Sequence, residues 1–84
     1  MSGMLKVSVI SPEATLFEGE AASVTAPAFD GEVGILPQHA PMVTVLGTGA
    51  LRIGEDTARF HVEGGFLQVV DDVVRVVTEK ASRA

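Results

Sequence analysis

Apolar and polar residues alternate along most of this chain. Leu5, Val7 and Val9 are separated by Lys6 and Ser8, and Val24 and Ala26 alternate with Ser23 and Thr25. Leu51 and Ile53 flank Arg52, and Phe60 and Val62 alternate with Arg59, His61 and Glu63. A period of two puts every apolar side chain on one side of an extended backbone, which predicts strands with one buried and one wet face. Two runs, GFLQVVD (65–71) and VVRVVT (73–78), are more continuously apolar and predict strands covered on both faces. Asp71-Asp72 lies between them at hairpin-turn spacing, and Asp tolerates a positive φ better than most residues.

Chain breakers recur between these runs, at Ser11-Pro12, Gly19, Pro27, Gly31, Gly34, Pro37, Pro41, Gly47, Gly49, Gly54 and Gly64-Gly65. Short strands at that spacing predict an all-β sandwich or flattened barrel in one domain, residues 1–84. Residues 1–3 read as disordered or expression-derived, and residues 80–84 as a polar tail able to begin a helix. No segment holds a helical period over three turns. In the broken stretch DGEVGILPQHAPMVTVLGTG (30–49), Ile35 and Val45 are expected in the core, while Leu36 and Met42 are open between core and contact surface.

Bulk properties narrow the function. An 84-residue chain has a small core, and the absence of cysteine removes disulfides and thiolate metal sites as staples. Good sheet packing or a partner subunit remains. The net charge is −5 and the six basic residues are scattered, so nucleic-acid binding has no electrostatic footing. No apolar run reaches the roughly 18 residues needed to cross a membrane as a helix. The N-terminus has no apolar leader, which disfavours secretion.

Candidate chemistry is sparse. His61 alternates with Phe60 and Val62 and belongs on the wet side of a strand. His39 sits in a turn with no nucleophile motif beside it, so an enzyme using His39 with Asp30 or Glu32 is a weak reading. Two histidines alone make a poor metal site, and the glycines form no phosphate-binding pattern. A biotinyl or lipoyl carrier needs a lysine at a hairpin tip, but Lys6 lies within the first strand and Lys80 at the end. An interaction module is left, with loops stiffened by proline and glycine, so that binding orders little.

The residues of the broken stretch carry a resemblance. GEVGILPQHAPMVT (31–44) resembles the glycine–acid–x–glycine–x–x–proline–x–histidine–alanine–proline signature of the epsilon subunit of F-type ATP synthase. Agreement continues in order through GTGALRI (47–53) and VEGGFLQVVDDVVRVVTE (62–79). At the front, LKVSVISPEATLFEGEAASVTAPAFDGE (5–32) is similar to the family's opening strands. The resemblance implies a β-sandwich of about ten strands in a non-catalytic subunit of a bacterial ATP synthase rotor. That subunit lies peripherally on the cytoplasmic face of the membrane and links the gamma subunit to the c-subunit ring. The membrane is touched only through the ring, and no cofactor is implied.

Carried over by position, the family pattern implies that Glu32 meets the ring, and that Ser11, Phe29, His39 and Thr44 lie along the gamma contact. Gly31, Gly34, Pro37 and Pro41 shape the loop, the glycines through backbone conformation. Gln38 departs from the pattern, since glycine is usual there, and a positive φ at that position would cost glutamine about 1 kcal/mol. The family's helical hairpin, which brakes hydrolysis and in some members binds ATP, has no counterpart within these residues. The other class of function compatible with the sequence is a free-standing sandwich that binds a ligand or peptide in a concave apolar pocket.

Overall fold

A computed structural model describes residues 3–83, so the expectation for Met1 and Ser2 lies outside the described residues. Ten strands follow one another without a helix among the described residues: β1 (Leu5–Ile10), β2 (Thr15–Ala21), β3 (Val24–Ala28), β4 (Gly31–Ile35), β5 (Met42–Val45), β6 (Thr48–Ile53), β7 (Ala58–Glu63), β8 (Phe66–Val70), β9 (Val73–Val77) and β10 (Lys80–Arg83). They form two five-stranded sheets, ordered β2-β1-β9-β8-β5 and β10-β7-β6-β3-β4. The sandwich is not a closed barrel; β2, β5, β10 and β4 are edges.

The alternation seen in the sequence becomes the inner faces. Leu5, Val7 and Val9 of β1, Leu67 and Val69 of β8, and Val74 and Val76 of β9 point inward from the first sheet. Val24, Ala26, Leu51, Ile53, Phe60 and Val62 meet them from the second, with Ile35 at its edge. All are essentially sealed from water. Every pairing of neighbouring strands is antiparallel except β1 with β9, where Lys6 to Ile10 run beside Val73 to Val77. That parallel pair ties the first strand to the ninth.

The turns follow from residue type. Asp71 and Asp72 adopt φ of 51° and 62°, so a two-residue turn with both residues left-handed joins Val70 to Val73; this turn has the twist that antiparallel strands need. Pro27 is tolerated inside β3 because the ladder to β6 involves only Val24 and Thr25. Gly65 is obligatory: with φ of 108°, a Cβ there would sit 2.0 Å from the Val77 carbonyl oxygen. Beside it, Thr78 is the buried polar residue among those described. Its hydroxyl lies 3.0 Å from the carbonyl oxygens of both Gly64 and Lys80, which share its one proton.

Three expectations need correction. Residues 80–83 are not a tail or a helix start: they form β10 on the free edge of β7, with Lys80 opposite Glu63 and Arg83 opposite Phe60. Their polar character suits an edge strand, and Ala81 packs on the core. The 65–71 and 73–78 runs are not covered on both faces, because among the described residues no third layer lies over the first sheet. Val45 is 57% exposed, since β5 is an edge strand whose odd-numbered residues face outward.

Two substitutions test this packing. Val62→Asp is expected to abolish cooperative unfolding in a thermal melt, because an unpaired carboxylate at a fully buried site costs a large share of the roughly 5–15 kcal/mol that holds a small domain together. Thr78→Val should lower the urea-derived unfolding free energy by about 1–3 kcal/mol by stranding buried carbonyls, whereas Thr48→Val on an exposed site should change it by less than about 0.5 kcal/mol.

Candidate functional site

The two outer faces differ. On the second sheet, Thr25, Arg52, Arg59 and His61 make a polar surface, and His61 Nε2 lies 3.8 Å from a Glu63 carboxylate oxygen with both side chains about half exposed. On the first sheet, the outward row across β5, β8, β9 and β1 reads Val45, Phe66, Val77, Ile10. The next row reads Val43, Gln68, Arg75, Ser8, and beyond it lie Val70 and Val73. Val43 is 69% exposed, Val73 43%, and Phe66 and Val70 40% each. The apolar runs that the sequence assigned to a doubly covered strand therefore leave one side facing water.

Phe29 extends this face. It occupies the two-residue turn between β3 and β4, is 70% exposed, and donates its backbone N–H to the Val45 carbonyl at 3.0 Å. Ser11 closes the same end of the face, where its backbone N–H and hydroxyl both donate to the Ala14 carbonyl, at 2.9 and 3.2 Å. Thr44 is half-buried on the inward row of β5, reachable along that strand's free edge. His39 lies beyond the other end of β5, roughly 13 Å of strand away from Val45. Phe29 and Thr44 thus lie beside the β5 edge at one end, Ser11 at the same end but about 14 Å across the sheet after β1, and His39 beyond the other end of β5.

Glu32 follows Phe29 by three residues, on the strand that leaves the same turn. It is exposed on β4, opposite Pro27, at the free edge of the second sheet. Gly31 beside it has φ of 134°, a conformation reserved largely for glycine. Gly34 adopts no such φ, and a Cβ there would meet open space, so nothing inside the domain demands glycine at that position.

The motif loop is a tight turn. His39 N–H donates to the Leu36 carbonyl at 3.2 Å, with Pro37 and Gln38 between them. Proline presets the first central φ, and Gln38 takes φ of 69° at the second, the type II pattern in which glycine is favoured. Gln38 therefore occupies a left-handed position. Its N–H donates to Asp72 Oδ1 at 2.6 Å. The His39 ring places Nδ1 2.8 Å from the Ala40 carbonyl oxygen; a carbonyl only accepts, so Nδ1 carries the proton. Pro41 is exposed and leads into β5.

Among the described residues no hydrogen bond or ion pair joins His39 to Asp30 or Glu32, and no group of three or more histidines or acids is placed to hold a metal. A concavity of about 470 Å³ lies over β1, β2 and β9, but Lys6, Ser8, Glu18, Glu20 and Arg75 line much of it, unlike the apolar pocket a free-standing binder would use. Sequence reasoning missed two features. It read Val45, Phe66, Val70 and Val73 as covered, although their continuous apolarity was the available signal. It also read Asp72 only as a turn residue.

A two-sheet sandwich of ten strands, with exposed valines and a phenylalanine on one outer face, defines the class: an all-β sandwich domain. The family model for the beta-sandwich domain of the ATP synthase Delta/Epsilon chain matches residues 4–84, and the chain belongs to that family. The ATP synthase epsilon chain of Leptospira borgpetersenii serovar Hardjo-bovis (strain JB197) is 49% identical over 77 residues, covering 89% of this chain and 61% of that protein. The ATP synthase epsilon chain of Acidithiobacillus ferridurans is 43% identical, covering 100% of this chain and again 61% of the relative. The chain thus spans about three fifths of these relatives' length. A chain in the cryo-EM structure of Euglena gracilis mitochondrial ATP synthase (OSCP/F1/c-ring in rotational state 1) superposes with a TM-score of 0.89 at 23% identity, covering 99% of this chain and 55% of that one. At that identity the likeness establishes the fold.

Proposed function

We propose that this domain is a non-catalytic docking element of the central stalk of an ATP synthase, holding the gamma subunit to the c-subunit ring so that rotation passes between them. It acts at the cytoplasmic face of a bacterial membrane and touches the membrane only through the ring. The observation that carries the reading is the apolar outer face of the first sheet. Val43, Val45, Phe66, Val70 and Val73 lie open on strands whose other side is already the core. An exposed apolar face of this kind on a soluble domain marks an interaction surface. Gamma is assigned to that face, with Phe29, Ser11 and Thr44 at one end and His39 at the other. The ring is assigned to the β4 edge, where Glu32 offers a carboxylate to backbone or side-chain donors. The two assigned contacts adjoin at the β3–β4 turn, where Phe29 and Glu32 are three residues apart, an arrangement that suits a linker between two partners.

Calorimetry with a purified gamma subunit from the same source tests the first contact. Binding is expected, and Val43→Asp should weaken it by about 2 kcal/mol, or thirtyfold, without lowering the melting temperature. Absence of binding to folded gamma would return the domain to the free-standing class. Glu32→Lys should reduce capture by detergent-solubilised c-ring about tenfold with gamma binding retained; unchanged capture would remove Glu32 from the ring contact.

A further inference from the structure

The Pro37-Gln38 turn contains an energetic conflict. Gln38 holds φ of 69°, which an L side chain adopts at a cost, on an exposed loop where an extended alternative is open. In a turn of this kind the N–H of its second central residue makes no bond within the turn. In this domain that N–H reaches a carboxylate oxygen 34 residues further along, at 2.6 Å. The acceptor is itself fixed. Asp72 is the second residue of the left-handed turn joining β8 to β9, and its backbone carbonyl accepts the Lys6 N–H of β1 at 2.8 Å. Asp72 is thereby tied to central strands of the first sheet through its backbone and to the loop through its side chain.

We infer that Asp72 is a positioning residue for the docking loop: its carboxylate pins the Pro37–Gln38 peptide and so sets where Leu36 and His39 are presented to the partner. The inference rests on the docking reading above and extends it to a residue outside the loop. The pinned peptide separates Leu36, 63% exposed, from His39, whose ring is braced on Ala40. With Asp72 in place, the loop and the β8–β9 turn flank one concavity of about 450 Å³, lined by Gln38, His39, Ala40, Pro41, Asp71 and Asp72. Without it, the loop loses the hydrogen bond that ties Gln38 to the β8–β9 turn, and the partner must order the loop on arrival.

Three variants separate positioning from simple support of the fold. Asp72→Gly keeps the left-handed backbone and removes the acceptor; Asp72→Asn keeps both an acceptor and tolerance of positive φ. In the free chain, hydrogen exchange of the Gln38 amide followed by NMR should quicken about tenfold in Asp72→Gly and stay within about twofold in Asp72→Asn. Affinity for gamma should fall about tenfold in Asp72→Gly and hold in Asp72→Asn. In a Gln38→Gly background, where the turn forms without strain, Asp72→Gly should cost less than about threefold in affinity. Unchanged exchange in Asp72→Gly overturns the inference whatever gamma does. Faster exchange with unchanged affinity also overturns it, reducing the bond to local support. If the parent chain itself fails to bind folded gamma, the docking reading falls, and the exchange data alone decide whether Asp72 holds the loop.

Discussion

Everything in this domain hangs on two inner sheet faces sealing each other. Leu5, Val7, Val9, Leu67, Val69, Val74 and Val76 from one sheet, and Val24, Leu51, Ile53, Phe60 and Val62 from the other, have no second place to hide from water. Without cysteine no disulfide supports the fold, so within the domain the packing of these faces is the main source of stability. The polar groups that must be buried with them are satisfied: no buried side-chain nitrogen or oxygen among the described residues lacks a partner. Thr78, the buried polar side chain, serves the turn that joins the seventh strand to the eighth and the start of the tenth.

That economy sets what the outer surfaces can be. Once each strand has committed its inward row to the core, its outward row is free to vary. The second sheet uses that freedom for Thr25, Arg52, Arg59 and His61. The first sheet mixes Ser8, Gln68 and Arg75 with exposed valines and a phenylalanine, side chains that the core does not need and that the proposed reading assigns to an interface. In the proposed reading the gamma face lies mainly on the first sheet and the ring contact on the β4 edge of the second, and the two approach each other at the β3–β4 turn, where Phe29 precedes Glu32 by three residues. Close packing makes the interior stiff.

The motif loop is a second example of one region governed by another. Proline fixes one end of the Leu36–His39 turn, but the left-handed residue after it is held by a carboxylate from the far hairpin. An edge loop thereby takes its conformation from the centre of a sheet. The same hairpin binds the first strand through Lys6, so the order of the loop depends on the parallel pairing that closes the first sheet.

Much of this architecture was legible in the residues. Period-two alternation identified the inward rows of β1, β3, β6 and β7, because side chains on extended backbone alternate strictly between faces. Asp71-Asp72 marked its hairpin, and the signature from Gly31 to Pro41 marked the family. Other features depended on which strands lie side by side. Continuous apolarity in β8 and β9 has the same appearance whether a third layer or a separate partner covers the outer side, and only the sheet order showed that the described residues supply no such layer. Hydrophobicity alone places Val45 in the core, since it does not reveal that its strand is an edge. Lys80–Arg83 carries little strand signal of its own and is extended because β7 offers an unpaired edge. The bond from Gln38 to Asp72 was invisible for the same reason: 34 residues separate donor and acceptor, and only tertiary packing brings the two turns within hydrogen-bonding distance.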